Sequence, residues 1–323
     1  MLNTLLKNKF FAFLKLIRVQ NLLIMIFTLC CTRYFVIEPI LGRIYFSESL
    51  FWVLVTGTFF IGAAGYIIND YFDVKTDIIN HPETVVIDKI IKRRWAMLLH
   101  IIFNVIGLLL GVWLAYKSYA LRLVLFQLVA VTLLWFYSTN FKKQLLVGNI
   151  VIAVLTALIP LMPFAYEIFF GLHANTLFFG QDPEKIKICF IITLIFCGFA
   201  FLTSLMREII KDMEDFKGDI QTGCKTMPIS WGIISTKIFT FFLIVITLGL
   251  LSFSILKLWH WQQKPAAFYL LMTIFLPLLI LTVSVIKAKT PHHFKLASLL
   301  LKFIMLFGIA FTFLIKLMYE QHS

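Results

Sequence analysis

About nine stretches of roughly twenty apolar residues, separated by short polar links, leave this 323-residue chain little choice of solvent. In a bilayer every backbone polar group must be satisfied within its own segment, so each stretch is expected to be a membrane-crossing helix. By residue number they run 11–36, 50–68, 95–116, 121–137, 145–166, 186–206, 238–256, 267–286 and 297–317. The chain is 61% hydrophobic and only 14% charged, which excludes an ordinary soluble domain. The expected fold is therefore all-α and polytopic. The first stretch follows Lys9 much as a signal sequence begins, but it is too long, contains Lys15 and Arg18, and ends in no small-residue cleavage site. It is expected to persist as the first helix.

Charge sets the orientation. The N-terminus and the links after the second, fourth, sixth and eighth stretches collect most of the Lys and Arg, including Lys89, Lys92, Arg93, Arg94, Lys142, Lys143, Lys211 and Lys217. That side is expected to face the cytoplasm of a bacterial inner (plasma) membrane. The net charge of +13 then reads as topology plus attraction to anionic lipid heads; no nucleic-acid module is visible, and no obligate protein partner is called for. Cys30, Cys31, Cys189, Cys197 and Cys224 have no metal-type spacing and read as packing residues.

The informative polar stretches are NDYFDVKTD, behind the second apolar run, and REIIKDMEDFKGD, behind the sixth. Asp70, Asp73 and Asp77 have the spacing i, i+3, i+7, and Asp212, Asp215 and Asp219 repeat it. On a helix such residues stay within roughly a 60° sector, so each motif is a carboxylate stripe. Both stripes are expected in loops on the same side, facing each other across a cavity. Carboxylates so placed raise one another's pKa values unless a cation sits between them. Oxygen ligands without a His or Cys cluster favour Mg2+, which keeps several waters and bridges carboxylates to substrate phosphates. The expected ligand is a Mg2+-diphosphate with a lipid tail among the helices, where aromatic rings such as Phe59, Phe60 and Phe72 would line the tail.

NDYFDVKTDIINHP and REIIKDMEDFKGDIQTGCKTMPI resemble the two aspartate-rich motifs of the UbiA-type intramembrane prenyltransferases, and the helix count extends the resemblance over nearly all of residues 1–323 as one domain. The resemblance implies two four-helix halves plus one helix around a central cavity open sideways to lipid. It implies transfer of an isoprenoid chain from a prenyl diphosphate to a lipophilic acceptor. It also implies Asp70, Asp73, Asp77, Asp212, Asp215 and Asp219 as Mg2+ ligands, with Asp70, Asp73, Asp215, Lys142 and Tyr137 catalytic. Asn69, Lys211, Asn149 and, from the helix 1 segment IRVQN, Arg18 and Asn21 would bind substrate; Val19 stands where the family has proline. After the first motif this chain reads NHPETVVIDKIIKRR and lacks the arginine usual in relatives, for which Lys89, Lys92, Arg93 or Arg94 is the expected substitute.

The second motif most resembles the branch that prenylates geranylgeranylglycerol phosphate, so a prenylglycerol phosphate is the expected acceptor. The acceptor's phosphate is expected on Arg18, Lys142 and the Lys89 to Arg94 cluster. An aromatic quinone precursor of the hydroxybenzoate or dihydroxynaphthoate type is the alternative. A secondary transporter is a third reading, disfavoured because Pro160 and Pro163 have no counterpart in the other half of the chain.

Overall fold

The structure, a computed structural model, describes residues 9–118, 120–173 and 183–320. Among these residues there is no β-strand, and nine helices are long and apolar enough to cross a membrane. They are α1 (Val19–Leu41), α2 (Glu48–Asn80), α3 (Arg93–Lys117), α4 (Leu121–Thr139), α5 (Val147–Leu172), α6 (Pro183–Glu214), α7 (Ile233–His260), α8 (Lys264–Lys287) and α9 (Pro291–Glu320). The chain is thus an all-α, multi-pass membrane protein. Its outward faces carry exposed apolar side chains such as Leu109, Ile238 and Phe253, the pattern expected where lipid replaces water.

Two halves are visible in the packing. In the first, α2 lies against α1, α3 and α4; in the second, α6 packs on α5 and α7, and α7 on α8. The last helix, α9, touches α1, α6 and α8 and so links the halves. Gly308 makes this possible, because a Cβ there would run into the Phe199 ring of α6.

The stripes are not in loops, as the apolar runs alone suggested. Helix α2 has 33 residues and α6 has 32, each close to 50 Å at about 1.5 Å per residue, against a hydrocarbon core of about 30 Å. The surplus turns project at the same end and carry the motifs. The first stripe is helical throughout. The second is not: α6 ends at Glu214, Asp215 sits at the junction with φ −88° and ψ 5°, and Asp219 belongs to the short helix Phe216–Gln221. A stripe on a single helix is therefore the wrong description of the second motif.

A second break precedes α1. The lead helix Lys9–Leu16 stops, and Arg18 takes a left-handed conformation, φ 48° and ψ 54°, before α1 begins at Val19. The turn forms without the family's proline. A non-glycine residue in this region costs about 1–2 kcal/mol, and such strain gathers where a side chain must be aimed.

Candidate active site

Both stripes line one polar cavity of about 470 Å3, with Asp73 and Asp77 from α2 facing Asp212, Asp215 and Asp219. The two sides are fastened directly. Asn80, the last residue of α2, donates to the carbonyl oxygen of Asp215 (3.0 Å) and accepts from the amide of Gly218 (2.8 Å). A Cβ at Gly218 would lie 2.5 Å from that side-chain amide, so a larger residue would displace Asn80 from this docking position. His81 adds a 2.8 Å bond between its Nε2 and the Asp215 carboxylate, which raises the imidazole pKa. The stretch NHP supplies both contacts. Sequence reasoning passed over Asn80 and His81, although NHP belongs to the motif match itself.

Each expected cation has a definite place. Lys142 pairs with Asp73. It is aimed by the turn before α5, where Gly148 packs on the backbone; a Cβ there would be 2.7 Å from the Lys142 Cα. Arg18 donates to Asp70 at 2.8 Å, lies 5.3 Å from the centre of the Tyr66 ring, and is held charged still more firmly by Asp70. Asn149 donates to Asp212 at 2.8 Å. Asp70 differs from expectation: it lines neither cavity and stands behind Arg18.

The Lys89 to Arg94 cluster lines neither cavity. Arg93 pairs with Asp88 at 3.2 Å, and Lys89 donates to the Pro82 carbonyl. The cations that do line the polar cavity are Arg18, Lys75, Lys142, Lys143 and Lys211. Cys224 also lines it, which removes that cysteine from the packing group.

An apolar cavity of about 290 Å3 lies beneath, walled by side chains such as Asn21, Leu22, Met25, Leu134, Phe196 and Phe199, with Gly62 and Gly65 on its α2 wall. Phe59 and Phe60 are not in this wall; Phe60 packs edge-on against Phe103, and Phe72 lines the polar cavity. Arg18, Asn69, Tyr137, Glu208 and Lys211 line both cavities and form the junction between them. For Arg207 and Glu208 the sequence leaves both an ion pair and a catalytic role open. Glu208 is bonded to its neighbour Arg207 at 2.9 Å.

The donors fit Mg2+. The cavity offers carboxylate and amide oxygens, and the buried Oδ1 of Asn69 has no hydrogen-bond partner. Asp219 is pushed up to about 7 by burial and by the nearby Asp215 and Asp73, so the cavity resists one more negative charge and favours a cation. Among the described residues no three His, Cys, Asp or Glu side chains converge as a closed metal cluster. An ion here would need water and substrate oxygens to complete its shell.

A profile of the UbiA prenyltransferase family matches residues 24–316. Two curated relatives are digeranylgeranylglyceryl phosphate synthases. The one from Sulfurisphaera tokodaii is 35% identical over 186 residues, 58% of this chain and 59% of the relative. The one from Methanothermobacter thermautotrophicus is 36% identical over 196 residues, 60% of this chain and 59% of the relative. The chain thus spans less than two thirds of the length of these relatives. A UbiA homologue from Archaeoglobus fulgidus, solved with GPP and Mg2+, shares the fold with a TM-score of 0.55 at 16% identity, over 93% of this chain and 99% of that one.

Proposed function

This chain belongs to the UbiA prenyltransferase family, and we propose that it transfers an isoprenoid chain from a prenyl diphosphate to a prenylglycerol phosphate in the membrane, with Mg2+ as cofactor. The observation that carries this reading is the junction, where Arg18, Asn69, Tyr137, Glu208 and Lys211 face a polar and an apolar cavity at once. A ligand with a polyanionic head and an apolar tail uses both compartments, and its head-to-tail bond then lies among these side chains. The A. fulgidus homologue, with GPP and Mg2+ bound, and the names of the curated relatives support the same class of donor and acceptor.

Asp73, Asp77, Asp212, Asp215 and Asp219 would hold Mg2+, with Asn69 Oδ1 as a further oxygen. When bound there, the ion would neutralise the leaving diphosphate. Lys142, Lys211 and Arg18 add positive charge at the same end of the substrate; Lys142 and Arg18 are already oriented by Asp73 and Asp70 and therefore need little reorganisation. Tyr137 offers its ring to the allylic carbon as that carbon becomes cationic. Asn149 holds Asp212 in place, Asn21 lines the start of the tail cavity, and Asp70 acts by positioning Arg18.

The purified protein, given prenyl diphosphates with prenylglycerol phosphate or 4-hydroxybenzoate, is expected to form the ether product with Mg2+ and none with EDTA, identified by mass. Efficient prenylation of the aromatic acid, with prenylglycerol phosphate untouched, would replace the acceptor while leaving the donor site intact. Absence of Mg2+-dependent product from every acceptor would overturn the transferase.

We also place the polar cavity on the cytoplasmic side of a plasma membrane, on the strength of the basic links at that end. The curated relatives are archaeal and lend nothing to a bacterial membrane, so the reading stops at the plasma membrane. Lys89 and Lys217 are both exposed at this end. Single cysteines there, in a background without the native cysteines, are expected to resist an impermeant thiol reagent outside intact cells. Ready labelling of both would invert the topology.

A further inference from the structure

Lys302 stands where an unpaired lysine is costly. It lies roughly three helical turns into α9 and lines the apolar cavity, not the polar one. Among the described residues no carboxylate pairs with it. The charge within electrostatic reach is another cation, Arg207 of α6. Arg207 lines the same cavity and shares its charge with Glu208. Two cations and one carboxylate leave a net positive wall between α6 and α9. An ionisable group inside a membrane protein without a partner marks a ligand site by default.

We infer that Lys302 and Arg207 bind the phosphate-ester head of the lipid acceptor, an inference that rests on the prenyltransferase reading. The donor's diphosphate has its own compartment, which neither residue lines. The site opens within an apolar cavity, so its anion arrives on a lipid tail. Two cationic groups match a phosphate monoester, which carries up to two charges and several acceptor oxygens. The position also suits transfer: Arg207 adjoins Glu208, a junction residue. A head held at Arg207 therefore leaves its glycerol hydroxyl close to where the donor's reacting carbon would lie. Arg18 and Lys142, the earlier candidates for this phosphate, line the polar cavity and serve the donor's diphosphate there.

Equilibrium binding to the full-length protein in detergent tests this without turnover. Wild-type protein is expected to bind a prenylglycerol phosphate more tightly than the neutral prenylglycerol. Lys302→Met should weaken the phosphate form roughly tenfold, the scale of one charge-assisted contact. Neutral prenylglycerol and prenyl diphosphate should change less than about twofold, with Lys302→Arg restoring most of the loss. Equal weakening of all three ligands, or none, overturns the site. So does displacement of prenylglycerol phosphate by an equal amount of phosphatidylglycerol, which would make it a bulk-lipid contact. Tight, Lys302-dependent binding by a protein that never transfers to this lipid would uphold the site and refute the acceptor reading alone.

Discussion

Asp73→Asn and Asp215→Asn are each expected to lower the rate of transfer by about 100-fold or more, while both variants still insert and purify. The physical reason is charge. Both carboxylates line the polar cavity from opposite sides, and each exchange removes one negative charge from the oxygens that would hold Mg2+ at the leaving diphosphate. A loss of about 3 kcal/mol in transition-state stabilisation corresponds to that factor. The fold should tolerate both changes, because Asn in place of Asp73 still accepts from Lys142, and Asn in place of Asp215 still reaches His81. Asp70→Asn is expected to behave differently. Asp70 lines neither cavity and works through Arg18, so its loss should appear mainly as a raised donor KM, on the order of tenfold for one weakened charge-assisted bond. Near wild-type turnover in both cavity variants, measured on protein with unchanged Tm, would refute the carboxylate site.

The divergence between Asp70 and Asp73 marks the limit of what spacing tells. The i, i+3, i+7 pattern brought the two motifs together correctly, because two aspartate clusters behind two apolar runs on one side of a bilayer have few places to meet. Local periodicity cannot report which rung of a stripe a neighbour claims. Arg18 claims Asp70 because a left-handed residue turns the chain there, and nothing in IRVQN announces that turn without its proline. Likewise 212, 215 and 219 have the spacing of an unbroken helix, yet the helix ends at Glu214 because Asn80 docks on Gly218 and on the carbonyl of Asp215. That contact joins residues far apart in the chain. The apolar runs located all nine helices but joined the lead helix Lys9–Leu16 to α1 across the break at Arg18, and undershot α2 and α6, since the helix continues through polar turns that leave the hydrocarbon. Lys302 stood out only as one lysine in an apolar run; that it shares a cavity wall with Arg207 of α6 is visible only in the fold.

The α2 wall of the apolar cavity allows a sharper test of what that cavity holds. Gly62 lies on α2, two turns before Asn69, so about 10 Å of helix separates it from the junction. A Cβ there would sit 3.0 Å from Leu22 and 3.4 Å from Met25, both of which line the same cavity. Gly62→Phe therefore fills the cavity at a fixed depth and leaves the carboxylates untouched. If the donor's tail lies here, the variant should discriminate by length. Each isoprene unit displaced carries four or so buried carbons at about 0.8 kcal/mol each, on the order of 3 kcal/mol or about 100-fold. The value of kcat/KM for a twenty-carbon donor is expected to fall by about that factor, with dimethylallyl diphosphate changed only a few-fold. Overpacking alone costs about 1–3 kcal/mol of stability, but that cost is blind to the donor's length. An equal loss with every donor would thus mean damaged packing, and an unchanged preference would move the tail out of this cavity; only a loss that grows with chain length ties Gly62 to the isoprenoid.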